Sequence, residues 1–169
     1  MARQPFVVTG GELRRLLETR ERFERRGSVG PLKVVETEVP GEAEVLVTVT
    51  LEPAAADVAV RGSVAAPWQA PCRRCGDPIE GDCRADVVEV FERHPTEGET
   101  WPLGEDRLDL APMVRELVLL ELPFAPEPPV EATGRCVACG RDVEALAPEA
   151  PSEPERDPRW AALDDLDLE

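Results

Sequence analysis

Tyrosine is absent from this 169-residue chain, and aromatic residues make up only 4% of it. A core built from such a sequence must rest on Val, Leu and Ala. Histidine occurs once, at His94, in an acidic, Pro- and Gly-bearing stretch that reads as a surface loop (94–105). There is no H-E-x-x-H pair, no Ser–His or Cys–His constellation and no Gly-rich phosphate loop. Carboxylates are abundant, but abundance in a chain of net charge −16 does not single out an acid and a base. No apolar run approaches the roughly 18 residues of a membrane span. Residues 1–10 carry no apolar stretch of the kind that opens a signal peptide. These absences point to a non-enzymatic protein of the reducing cytoplasm, with no membrane and no small-molecule substrate expected.

Cysteine is present, and its spacing is informative. Cys72-Arg73-Arg74-Cys75-Gly76 and Cys136-Val137-Ala138-Cys139-Gly140 are two copies of C-x-x-C-G. Thiolates at i and i+3 can grip one tetrahedral Zn²⁺, and two such pairs close a structural site with no position left for water. The glycine after each pair tolerates the positive φ that lets the chain curl round a metal. The candidate ligands are therefore Cys72, Cys75, Cys136 and Cys139, with Zn²⁺ as the structural cofactor. Disulfides and a redox dithiol are the competing readings. Pro71 before the first pair and Asp77-Pro78 after it spell a turn rather than the helix a redox motif opens. Cys83, the fifth cysteine, falls in a strand-like run and reads as a small buried hydrophobe.

Along the chain, Phe6-Val7-Val8 is a short strand, and Leu13, Leu16 and Leu17 recur at helical spacing after a cap near Thr9. The helical reading continues through Arg26 and stops at Gly27. Residues 1–35 hold eight basic and four acidic side chains, so this end is positive while the remainder is strongly negative. Such a helix presents either a solvated face or an arm that meets phosphates. Val45, Val47, Val49 and Leu51 alternate with polar residues, as do Val58, Val60 and Val64, which predicts an antiparallel hairpin with one buried face. A third strand is expected over Cys83–Phe91, placing the first knuckle at a hairpin tip. Asp109 is positioned to cap a helix with Pro112 in its first turn. Apolar residues nearly encircle that helix, so it should be deeply buried through Leu120 until Pro123 stops it. Pro126-Glu127-Pro128-Pro129 reads as a stiff spacer. The acidic, proline-bearing C-terminus contains one amphipathic island, with Asp157 as cap, Pro158 at the first position, Arg159, and Trp160, Leu163 and Leu166 on one face. A short helix docked on the domain or on a partner fits it.

The expected fold class is α+β: an antiparallel sheet or partial barrel with a long-insert, zinc-ribbon-like four-cysteine site, one buried helix and an acidic C-terminal tail. The expected organisation is an N-terminal strand and basic helix (1–35), a β-rich core with both knuckles and the buried helix (36–147), and the tail with its short helix (148–169).

The order of C-x-x-C, strand, acidic loop, the run from Leu108 to Pro123, G-x-C-x-x-C-G from Gly134 to Gly140, and D-P-R at Asp157 resembles the YceD family. These are large ribosomal RNA subunit accumulation proteins. The resemblance implies a factor needed for synthesis, processing or stability of 23S rRNA. Some members lack the second knuckle, which implies that the metal acts as a staple. Two partner classes follow. In one, Arg73, Arg74, Arg135 and Arg141, at or beside the knuckles, contact an rRNA precursor. In the other, the acidic body holds a basic large-subunit ribosomal protein or assembly factor and touches no RNA.

Overall fold

The computed structural model describes residues 4–138 and 140–143. The described residues fall into two compact units, one ending at Glu127 and the other beginning at Pro128. The first unit is organised by a long hairpin. Strands Asp57–Pro71 (β6) and Pro78–Glu92 (β7) pair antiparallel from Val58 opposite Phe91 to Pro71 opposite Pro78. Strand Val45–Ala54 (β5) covers the other edge of the first half of β6, joined to it by a tight turn with Ala55 in the left-handed region. Because β7 occupies one edge of β6 throughout, the short strand Thr37–Val39 (β4) takes the edge beyond the end of β5, meeting β6 at Gln69. Leu32–Val34 (β3) pairs with β4, Arg22–Gly27 (β2) flanks β5, and Trp101–Pro102 (β8) lies parallel to the end of β7. No ladder among the described residues closes this sheet into a barrel. Val7–Thr9 (β1) and Arg107–Asp109 (β9) form a separate antiparallel pair.

Alternation does the core-building. Val45, Val47, Val49 and Leu51 of β5 are at most 1% exposed, and Val58, Val60, Val64, Ala85, Val87 and Phe91 extend that buried layer across β6 and β7. Each such large apolar side chain contributes about 1.5–3 kcal/mol relative to exposure. Helix Gly10–Thr19 (α1) brings Leu13 and Leu16 against β5 and the β1–β9 pair, and helix Ala111–Glu121 (α2) brings Met113, Val114 and Val118 against β7, β6 and β3. The N-cap of α2 is Leu110, which makes no side-chain cap, so Asp109 stands one residue earlier than expected; its Oδ1 still accepts the Ala111 N–H at 3.1 Å, while Arg107 donates to Oδ2 at 2.9 Å.

Three expectations need correction. The basic N-terminal helix stops at Thr19, well short of Arg26. Arg20 adopts φ 53° and ends α1, and residues 22–27 form an edge strand rather than a further turn of helix. Phe23 and Arg25 then share the inner side, where Phe23 is buried and Arg25 donates to Glu12 of α1 at 2.6 Å. Six backbone pairings with β5 outweigh a helical propensity that was only a weak prior. The remaining helix carries two arginines against two glutamates, so the positive charge lies on β2. Second, α2 is one-sided: Leu120 is 71% exposed. Met113→Ala should therefore cost about 2–5 kcal/mol, and Leu120→Ala no more than about 0.5 kcal/mol, both read from thermal melts. Third, the 94–105 stretch is partly structured, since the Trp101 indole N–H donates to Glu89 at 3.0 Å and its ring stacks near Phe91. The expected amphipathic helix, Asp157 to Leu166, and the acidic tail around it lie outside the described residues.

Candidate metal centre

The first knuckle is the tip of the β6–β7 hairpin. Cys72 N–H donates to the Asp77 carbonyl at 2.8 Å, and Gly76 N–H donates back to the Cys72 carbonyl at 2.8 Å. Gly76 sits at φ +73°, where any β-carbon is disfavoured. Arg73 N–H donates to the Pro126 carbonyl at 3.2 Å.

In the second unit the same pattern recurs. Cys136 N–H donates to the Arg141 carbonyl at 2.9 Å, Gly140 N–H to the Cys136 carbonyl at 2.7 Å, and Val137 N–H to the Pro129 carbonyl at 3.1 Å. Gly140 has φ +69°. Gly134 N–H bonds Glu131 and Val143 N–H bonds Gly134, which ties the chain on both sides of the turn. Each knuckle is thus closed by its own backbone bonds.

Cys72 and Cys136 are buried and Cys75 is half-buried. Cys72, Cys75 and Cys136 are three nearby cysteines that could hold a metal ion. Cys139, the fourth expected ligand, lies outside the described residues. Cys83 is elsewhere: it is buried in β7 beside Ala66, whose carbonyl accepts its S–H at 3.5 Å, and burial pushes its thiol pKa up. A thiol held protonated this way packs as a small hydrophobe, as expected.

The four arginines are not equivalent. Arg74 is pulled onto Glu127, Nη2 to Oε2 at 2.8 Å, and keeps only 24% of its side chain exposed. Arg73 approaches the other oxygen of the same carboxylate at 3.6 Å and is 68% exposed. Glu127 therefore braces the first knuckle, a role that its position between two prolines does not announce. Arg135 donates to the Gly140 carbonyl at 3.3 Å, and Arg141 is exposed.

The family profile of the large ribosomal RNA subunit accumulation protein YceD matches residues 60–167. That range contains both knuckles, β7 and α2. The chain belongs to the YceD family. Among curated proteins it is similar to uncharacterized proteins of Mycobacterium tuberculosis and Mycobacterium bovis, 34% identical over 63% of this chain and 54% of theirs. An uncharacterized protein of Mycobacterium leprae is 30% identical over 69% of this chain and 56% of its own. The chain thus spans about half the length of the curated relatives it matches. No solved structure matches this YceD-family chain. No helix among the described residues is long and apolar enough to cross a membrane.

Proposed function

We propose that this protein is a non-enzymatic cytoplasmic factor that supports accumulation of 23S rRNA, through its synthesis, processing or stability. The observation that carries this is the family match, which runs across the knuckles, the long hairpin and α2 together. Under this reading one Zn²⁺, held by Cys72, Cys75, Cys136 and Cys139, is a structural staple. Four thiolates leave no open coordination position, so the ion fixes shape and supplies no chemistry. Arg73, Arg135 and Arg141 are then the knuckle side chains offered to an rRNA precursor or assembly partner, while Arg74, committed to Glu127, holds the turn that presents them. A second reading is supported by the net charge of −16: an acidic adaptor that holds a basic ribosomal protein, since bulk repulsion opposes nonspecific RNA binding.

The test is the ratio of 23S to 16S rRNA in cells lacking the protein. The ratio should fall, and the intact gene should restore it. An unchanged ratio in the deletion strain refutes the proposal. A chain with Arg73→Ala, Arg135→Ala and Arg141→Ala that folds normally and still restores the ratio would shift the working surface away from the knuckles.

A further inference from the structure

The solvent-facing side of the sheet carries a cationic depression that the knuckle chemistry does not use. Ladder register aligns Arg22 of β2, Thr50 of β5 and Arg61 of β6 in one row. The next row holds Glu24, Thr48, Ser63 and Asp86, and the one after ends on Arg84 of β7. Arg84 leans along its strand, donating to the Ser63 hydroxyl at 3.0 Å. Arg22, Arg61 and Arg84 thereby surround a depression of about 340 Å³ whose remaining polar side chains are the hydroxyls of Thr48, Thr50 and Ser63. No carboxylate lines it. Three other depressions on the described surface are each lined by at least two carboxylates.

Gly62 lines the depression with backbone alone. Its φ is +152°, and a β-carbon there would overlap the Thr48 carbonyl and the Val49 backbone. The arginines are only loosely held. Arg22 approaches Glu24 at 3.6 Å and Arg61 approaches Glu52 at 3.9 Å, all four side chains being 41% exposed or more. Exposed pairs at such distances contribute little, so the guanidiniums can turn to another anion. Arginine forks fit phosphate oxygens bidentately, and the hydroxyls add neutral donors.

We infer that this face of the sheet, with Arg22, Arg61 and Arg84 around Gly62, binds the phosphate backbone of single-stranded RNA. The inference rests on the proposed role in rRNA accumulation and adds a surface to it. Two strand spacings separate Arg22 from Arg61, roughly 10 Å, so the patch suits a chain of phosphates better than a single ion. No aromatic side chain shares these rows, which removes stacking of bases on aromatic rings. Binding here is therefore sequence-tolerant and salt-sensitive.

The test measures fluorescence anisotropy of a labelled oligouridylate of about 20 nucleotides with the full chain across a salt series. Arg22→Ala, Arg61→Ala and Arg84→Ala combined should weaken binding at least about tenfold at roughly 50 mM salt. The log–log salt slope should fall by about two, since each single-strand phosphate contact contributes about 0.7. The corresponding triple lysine variant should keep most of the affinity, and unchanged melting curves would tie the loss to charge rather than to unfolding. Alanine and wild-type chains binding alike would overturn the inference. So would an intact chain that ignores the RNA while a peptide of residues 148–169 perturbs the Arg22, Arg61 and Arg84 side-chain resonances, which assigns the face to the chain's own acidic tail. Neither result touches the 23S to 16S ratio of the deletion strain, so the two proposals fail separately.

Discussion

Cys72→Ser or Cys136→Ser is expected to abolish metal binding altogether, with zinc falling from about one per chain to near zero. Each substitution replaces a soft thiolate by a hydroxyl that stays protonated and binds zinc poorly, and it strikes a buried position where no water can substitute. Binding of structural zinc is worth on the order of 10–16 kcal/mol in small domains that depend on it. The second unit has little else to hold it, because Cys136 is the one buried side chain among its described residues. Proteolysis should therefore cut the variants C-terminal to Glu127 first, while the hairpin unit survives. Elemental analysis of purified protein is the direct readout, with Cys83→Ala as the control that keeps its metal. Full zinc in either serine variant would remove these cysteines from the ligand set.

The largest effect expected from a change outside the knuckles is Phe91→Ala. Phe91 is fully buried near the end of β7, opposite Val58 on one side and Trp101 on the other, and its ring centroid lies 6.3 Å from that of Trp101. With aromatics at 4% of the chain, few rings stand near enough to expand into the space vacated. Truncation removes both transfer energy and packing, about 3–5 kcal/mol. Against a typical total of about 5–15 kcal/mol, that lowers the melting temperature by roughly 10–20 °C. Val88→Ala, three residues away on the outer face and 66% exposed, should change stability by no more than about 0.5 kcal/mol. A larger effect of Val88→Ala than of Phe91→Ala would mean that the buried and solvent faces of β7 are reversed.

The features legible in the sequence are those whose causes are local. Period-two alternation in Val45–Leu51 and Val58–Val64 specified a hairpin with one buried face, because a one-residue slip would expose every valine. Asp109 and Pro112 marked the start of α2 to within one residue, since a proline and a local side-chain acceptor act within one turn. C-x-x-C-G specified each knuckle, whose cysteine and glycine N–H bonds close within six residues. Where the cause is distant, the sequence was silent. Residues 21–26 mix Glu and Arg in a way that suits an exposed helix or an edge strand equally; the unpaired edge of β5 decides for the strand. Leu120 is as apolar as Leu117, and only the packing of α2 against β7 determines which of them meets the core. Glu127 looks like part of a spacer until the fold brings Arg73 and Arg74 against it. Arg22, Arg61 and Arg84 lie 39 and 23 residues apart along the chain, a spacing without meaning in itself. The sequence by itself determined which strands could have one wet face and where each turn must bend, for those follow from neighbours in the chain. The tertiary structure alone decided which charges stand together on that wet face, because ladder register joins residues that no local interaction connects.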